Sequence, residues 1–390
     1  MKTIEPLLAK LALKEKVQSL VAPPYDVVNY QKVKSHLAQE PNSILQVTRP
    51  DGLFDTPNIP QQQILKKATQ ALNRLAEQNY QPSYSSCYLL YEISCPQQTQ
   101  LGLFCMANSN ALKKHELTTE AKVQDRIHLN QSLQSQISPV MVCTDPIIQL
   151  STQLLQLKET ATPYFKVNYQ NQIHCLYLVK AGKTCDEVSE FINSHPLYIA
   201  DGHHRSQTQS TLHQQHPDKF TANILSVIFP GEILNILGYH RIISIGDNIQ
   251  FDELQKQLTE YFSFEKSDEA ILPNEKTHFG CYFNQQWYNL IFKESSDNLL
   301  AVSLLHKYLI EPIFEITDLR HDKRISYVGG FDACQQIETQ LADHQNKIAF
   351  TISPITVEDI VQTANNQQTL PPKSTYFEPK LLDGFLIQAG

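Results

Sequence analysis

Apolar positions along this chain come in short runs of four to eight, broken by polar and turn-forming residues, and their spacing predicts a succession of strands and helices. Gln61 to Glu77 carries Ile64, Leu65, Ala68, Leu72 and Leu75 at helical spacing. Tyr88 to Ile93 and Leu101 to Ala107 are apolar runs joined by a proline-containing turn, which predicts an antiparallel pair. Asn42 to Val47, Val140 to Cys143, Tyr164 to Val167 and Ile173 to Val179 read as further strands. Leu197 to Ala200 predicts a short buried strand that Asp201-Gly202 ends, and Ser206 to Gln214, without Gly or Pro, predicts a polar helix. Ile224 to Phe229 is a second buried strand; Pro230-Gly231 turns the chain, and Ile233 to Ile243 continues it. Beyond lie a helix over Phe251 to Phe262, a hairpin of Phe279 to Phe283 with Trp287 to Phe292, and a helix over Ser303 to Ile310. Arg324 to Val328, Phe331 to Leu341, Ile348 to Ser353 and Val357 to Thr363 then alternate strand and helix. The fold class is α/β of the mixed α+β kind, with mixed sheets and helices.

A length of 390 residues exceeds one ordinary domain. The expected division is 1–150, an N-terminal α/β region; 151–245, a central region with the Asp-Gly-His-His-Arg string; and 246–390, a C-terminal α/β region with a Lys-Ser-Thr loop. Only 12 glycines leave few places for a glycine-rich phosphate loop. Gly182-Lys183-Thr184 resembles the end of one, but Tyr177 stands where its first glycine is required. A net charge of −8 with no long basic run argues against a nucleic-acid partner. Lys2, Lys10, Lys14 and Lys16 interrupt the first twenty residues, so no signal-peptide core is present, and no apolar run approaches a bilayer span. A cytoplasmic protein with no membrane partner is expected. The eight cysteines are scattered without a C-x-x-C pair and read as buried thiols.

The chemistry concentrates in Leu197 to Arg205. Gly202 lets the backbone take a positive φ and approach a ligand, and the first N–H groups of the helix behind it make an anion site. Arg205 adds a fork of donors suited to phosphate, and histidines such as His203 and His204 can titrate near neutral pH. The plain alternative is a junction in which Asp201 caps the helix and the histidines are solvated. Two prolines, Pro23 and Pro24, deliver Tyr25 and Asp26 on a rigid extended segment. His115-Glu116 offers a general base and its orienting partner ahead of a helix capped by Thr118 or Thr119, and the absence of H-E-x-x-H excludes a metalloprotease helix. Lys373-Ser374-Thr375, between Pro372 and Pro379, can bring an ammonium and two hydroxyls to an anion, and is expected to fold back to Asp201–Arg205. Its rival is an edge strand anchored by Tyr376 and Phe377, with Lys373 in water.

These strings resemble a family known as domain of unknown function 1015: Ala22-Pro23-Pro24-Tyr25-Asp26-Val27, His115-Glu116 with Thr118, Tyr198 to Arg205, Phe229-Pro230-Gly231, His240-Arg241 and Pro372 to Phe377. Asp201-Gly202-His203-His204-Arg205 also resembles the phosphate-binding motif of free serine kinases in the ParB/sulfiredoxin superfamily. That resemblance implies a ParB/sulfiredoxin-like phosphate-binding core, ATP or ADP as cofactor with Mg2+, and a separate carboxylate as base. Glu116 and Asp26 are the candidates for that base, and Asp201 for the metal ligand, with His204 among the catalytic groups. Gly202, His203, His204, Arg205, Lys373, Ser374 and Thr375 are the expected nucleotide contacts. The expected function is a nucleotide-dependent phosphotransferase acting on a small hydroxylated metabolite, such as an amino acid like serine. The rivals are a noncatalytic nucleotide-binding regulatory protein and a metal-dependent hydrolase using His203, His204, His115 and Glu116. The oligomeric state is left open.

Overall fold

The computed structural model describes residues 2–389 except 57–58, 148, 246–250, 295–298, 343 and 345, and describes residues 251 and 252 by backbone alone. The chain forms two compact units, Met1–Leu234 with Pro379–Gly390, and Asn235–Glu378. Both are mixed α/β, as the pattern of runs predicts.

The first unit is built on an eight-stranded sheet. Its strand order is Tyr198–Asp201, Val140–Cys143, Asn223–Phe229, Gln98–Asn108, Leu89–Cys95, Gln172–Leu178 and Thr162–Tyr169, with Ile4–Glu5 also pairing Gln98–Asn108. All named pairings are antiparallel except Asn223–Phe229 with Val140–Cys143, which makes the sheet mixed. Asn223–Phe229 is apolar almost throughout because both of its faces are covered. Helices Leu150–Thr160 and Lys183–Asn193 bury Leu154, Leu157, Val188 and Ile192 against one face of the sheet. Helices Glu120–Leu133 and His203–Gln215 pack together through Val123, Ile127 and Leu212. A four-stranded sheet holds Leu386–Ala389 between Leu7–Leu11 and Ser135–Gln136, which returns the last residues to this unit.

Most predicted elements of this unit form, including the antiparallel pair of Leu89–Cys95 with Gln98–Asn108 and the helix Gln61–Asn79. Two expectations change. Within Asn42 to Val47 the chain turns into a short helix, Leu45–Thr48, every residue of which is buried. An apolar run that short suits a buried helical turn as well as a strand. Ile233 to Ile243 is broken into a 3-10 turn at Gly231–Ile233 and two strands, Ile236–Leu237 and His240–Ser244. Leu197 to Ala200 forms the expected buried strand, at the end of the sheet; Lys113 covers its outer edge, donating to the Leu197 carbonyl at 2.9 Å and accepting from the Ile199 N–H at 3.0 Å.

The second unit has a six-stranded antiparallel sheet in the order Phe262–Ser267, Gln286–Phe292, His278–Phe283, Lys347–Ile352, His240–Ser244, Ile325–Val328. The predicted hairpin is the pair His278–Phe283 with Gln286–Phe292. Helix Ala333–Leu341 buries Ala333, Ile337 and Leu341 in a core with Ile242, Trp287 and Ala349. Helix Val357–Asn365 starts with a capping box in which Thr356 and Asp359 exchange hydrogen bonds. Among the described residues no helix is long and apolar enough to cross a membrane.

Candidate functional site

The Asp201–Arg205 string folds as strand, turn and helix. The register of Tyr198–Asp201 against Val140–Cys143 slips between Ile199 and Asp201, a bulge of the kind that re-aims a side chain. Gly202 follows at φ 102° as the N-cap of helix His203–Gln215, so the cap position itself falls on the glycine. A Cβ at Gly202 would stand 2.9 Å from Nε and 3.0 Å from Cζ of Arg205, so both the backbone angle and the guanidinium require glycine there.

Arg205 is 7% exposed. Its Nη1 donates to the Pro139 carbonyl, and its Nη2 lies 3.6 Å from Asp201 Oδ2. Nε and Nη2 make no hydrogen bond although buried. Burial opposes the charge, but Asp26, Asp201, Tyr25 and Asp383 outweigh it and raise the pKa above its ordinary value. Asp26 is exposed at the end of the Pro23-Pro24 segment. Beside it the Tyr25 ring lies 3.4 Å beneath the Arg126 guanidinium, which donates to the Thr48 carbonyl at 3.1 Å. A cleft of about 40 Å3 is lined by Tyr25, Arg126, Asn130, Ser138, Arg205 and Thr208, among others.

Two residues of this centre escaped the sequence reading. Lys380 Nζ lies 3.5 Å from Asp201 Oδ2, so Asp201 stands between two cations. Asp383 is 1% exposed and accepts from Ser138 Oγ at 2.6 Å, while its Oδ1 has no hydrogen-bond partner. Backbone pairing with Ala22 and the Leu386–Ala389 strand hold this tail in place. Leu382 N–H donates to the Tyr91 hydroxyl at 3.3 Å, and the Tyr80 hydroxyl donates to the Gly384 carbonyl at 2.9 Å. The only sequence signal was the Asp383-Gly384 turn; nothing local shows that its carboxylate reaches a site some 180 residues upstream in the chain.

Burial pushes the Asp383 carboxyl up from 3.8 to about 7, against the Ser138 hydrogen bond and the Arg205 charge. The folded state therefore keeps a proton that the unfolded chain loses, and the stability this gives is full below about pH 4 and lost as pH rises through about 7. Asp383→Asn is expected to flatten that dependence, by on the order of a few kcal/mol between pH 4.5 and 8. Urea unfolding at a series of pH values checks this, and parallel curves for the two proteins would refute it.

The Lys113 bridge carries His115 and Glu116 to the start of the same helix. The His115 and His203 rings meet edge to face, 4.4 Å between centroids, and the His115 N–H donates to His203 Nε2 at 3.5 Å. Burial lowers the His115 pKa to about 4, with the Asp201 charge and the Ile199 backbone opposing, and lowers His203 well below its ordinary value, so both are neutral imidazoles. The ligand atoms of His115, Glu116 and His203 lie within 4.8 Å of one another. Two neutral imidazoles and a carboxylate suit a transition metal. Asp201, the expected Mg2+ ligand, fits a metal poorly, because Arg205 and Lys380 already flank it. His204 Nε2 accepts the Thr119 N–H at 3.0 Å, so it secures the start of helix Glu120–Leu133, where Thr119 is the N-cap without a side-chain bond. The structure thus brings Asp26, Asp201, Gly202 and Arg205 together in one cluster, with His203, His115 and Glu116 alongside. Lys373, Ser374 and Thr375 belong to the second unit, where Ser374 is buried and its hydroxyl donates to the Pro371 carbonyl at 2.6 Å.

A family profile described as Protein of unknown function (DUF1015) matches residues 4–316. No curated protein matches the chain. Several solved structures are similar to it. A free serine kinase in complex with AMP is 13% identical over 70% of this chain and 86% of that one, with a TM-score of 0.37. A conserved hypothetical protein from Pyrococcus furiosus is 12% identical over 73% and 95%, with a TM-score of 0.38. SbnI with C-terminal truncation from Staphylococcus aureus is 10% identical over 72% and 85%, with a TM-score of 0.42. At these TM-scores none of them supplies a residue role for this chain.

Proposed function

We propose that this chain, which belongs to the family described as Protein of unknown function (DUF1015), is a nucleotide-dependent phosphotransferase acting on a small hydroxylated metabolite, with an amino acid such as serine as the first acceptor to try. The observation that carries the reading is Arg205: a buried, permanently charged fork with two nitrogens lacking hydrogen bonds, behind a positive-φ glycine at the start of a long helix. Helix N–H groups and a guanidinium are the parts that bind a phosphoryl group and stabilise its charge during transfer. Arg126 and Lys380 add positive charge, so the centre is net positive against Asp26 and Asp201 whenever Asp383 is protonated. Glu116 or Asp26 takes the proton of the acceptor hydroxyl. ATP or ADP is the proposed donor. Mg2+ would come with the nucleotide phosphates rather than on a carboxylate cage of the protein.

A second reading, a metal-dependent hydrolase, is favoured by the His115, Glu116 and His203 cluster. One experiment separates the two. Purified protein is screened by thermal shift against ATP, ADP and AMP with and without Mg2+, each stabilising nucleotide is tested for transfer to serine and a metabolite pool, and bound metal is measured. The phosphotransferase reading expects nucleotide stabilisation and a phosphorylated product. Stoichiometric zinc, lost in His115→Ala, with no nucleotide effect, would replace it with the hydrolase.

A further inference from the structure

The second unit buries an arginine that the Arg205 centre does not explain. Arg241 lies on the strand His240–Ser244, opposite Tyr327 on one neighbour and Phe350 on the other, and is 0% exposed. Its Nη1 donates to the Tyr239 carbonyl and its Nη2 has no hydrogen-bond partner. Among the described residues no carboxylate forms an ion pair with it. Burial lowers its pKa to about 10, and the groups opposing that are phenols, Tyr327 and Tyr239. A guanidinium is still charged there at neutral pH, and buried charges are otherwise paired.

A second cation converges on the same rings. Lys373 Nζ stands 5.1 Å from the centre of the Tyr239 ring. Tyr239 meets Tyr327 and Tyr376 edge to face at 5.8 and 5.2 Å. Burial raises the Tyr327 pKa, Arg241 and Lys373 pull it down, and Tyr239 and Asp318 add to the rise, so the two cations act on one phenol whose hydroxyl donates to the Leu319 carbonyl at 2.8 Å. Lys373 is held at φ 57°, a left-handed angle uncommon for a side chain of this size and a mark of local constraint. Tyr376 presses on the backbone at Gly329, where a Cβ would stand 2.3 Å from its ring.

We propose that Arg241 and Lys373, with the Tyr239 phenol, form an oxyanion site built from residues of the second unit, which takes the phosphate group of a small ligand. The ligand supplies the counter-charge that the protein withholds from Arg241. Two cations favour a doubly charged phosphate over a singly charged carboxylate, and a guanidinium with an open nitrogen donates directly to its oxygens. The site stands on observations independent of the phosphotransferase reading.

Calorimetric titration of the full chain with pyrophosphate, and with acetate as the carboxylate control, tests it. Lys373→Met is expected to weaken one pyrophosphate binding event about ten- to a hundredfold, the effect of losing a charged hydrogen bond. Arg241→Met should abolish that event while leaving the melting temperature of the unliganded protein equal or higher, because an apolar side chain of similar length removes an uncompensated buried charge. Arg205→Lys should leave it unchanged. Acetate should bind far more weakly. Binding that survives both Lys373→Met and Arg241→Met overturns the site, as does a single event weakened by Arg205→Lys together with Lys373→Met. An event lost in Lys373→Met and untouched in Arg205→Lys, with no second event, upholds this site and removes the phosphate role of Arg205. Lys373 is exposed, so its variant decides the question even if Arg241→Met does not fold.

Discussion

Arg205→Ala is expected to weaken binding of a phosphorylated ligand by about 1.5–3 kcal/mol, the range for a hydrogen bond to a charged group. It is also expected to cost about 1–3 kcal/mol of stability, the penalty for leaving a buried polar group without its partner. From the sequence a phosphate-binding arginine after a turn could be removed with little loss of fold. In the structure Arg205 answers the charges of Asp26, Asp201 and Asp383 and donates to the Pro139 carbonyl, so its loss leaves that buried carbonyl without its donor and removes a cation from the carboxylates. Arg205→Lys separates the two effects. It keeps a charge for the carboxylates and should stay folded, but it lacks the fork and should recover only part of the affinity. Titration with ADP and urea unfolding of all three proteins read the outcome, and a folded Arg205→Lys with wild-type affinity for every nucleotide would count against a phosphate role. The same affinity should fall as pH rises through about 7, because Asp383 then adds a negative charge beside Arg205.

Glu116→Gln is expected to lower turnover by about 10²–10⁴-fold, the usual contribution of a general base, while nucleotide affinity stays near wild type. Glu116 is half-buried and within 4.8 Å of a His115 and a His203 ligand atom, which gives a carboxylate defined neighbours at the start of the Arg205 helix. Asp26→Asn is the matched comparison, since the Asp26 charge also acts on Arg205 and Asp26 is exposed. A variant that loses turnover with binding intact identifies the base. Should Glu116→Gln lose bound metal and leave transfer untouched, the carboxylate belongs to a metal centre and Asp26 takes the base role.

The Asp201–Arg205 string was legible because its signals are local. An apolar run ended by Asp-Gly and followed by a stretch without Gly or Pro specifies strand, turn and helix within twenty residues, and only glycine reaches φ 102° at little cost. The hairpins and amphipathic helices were legible for the same reason. Asn42 to Val47 was not, because a six-residue apolar run carries no period that separates a strand from a buried turn.

Charge pairing was decided by tertiary structure alone. Lys380, just beyond the Pro372–Pro379 run that drew attention to Lys373, pairs with Asp201, placed by a tail whose last strand lies between two segments of the first unit. Asp383 acquires its raised pKa from the same placement, since desolvation depends on what surrounds a carboxylate in space. Likewise His115 meets His203 only because a backbone bridge at Lys113 covers the outer edge of the Tyr198–Asp201 strand. The sequence by itself determined which residues carry chemistry and the local geometry of the glycine turn. Which of them face one another, and in what charge state, depended on contacts between residues tens to hundreds of positions apart, and no local pattern encodes those.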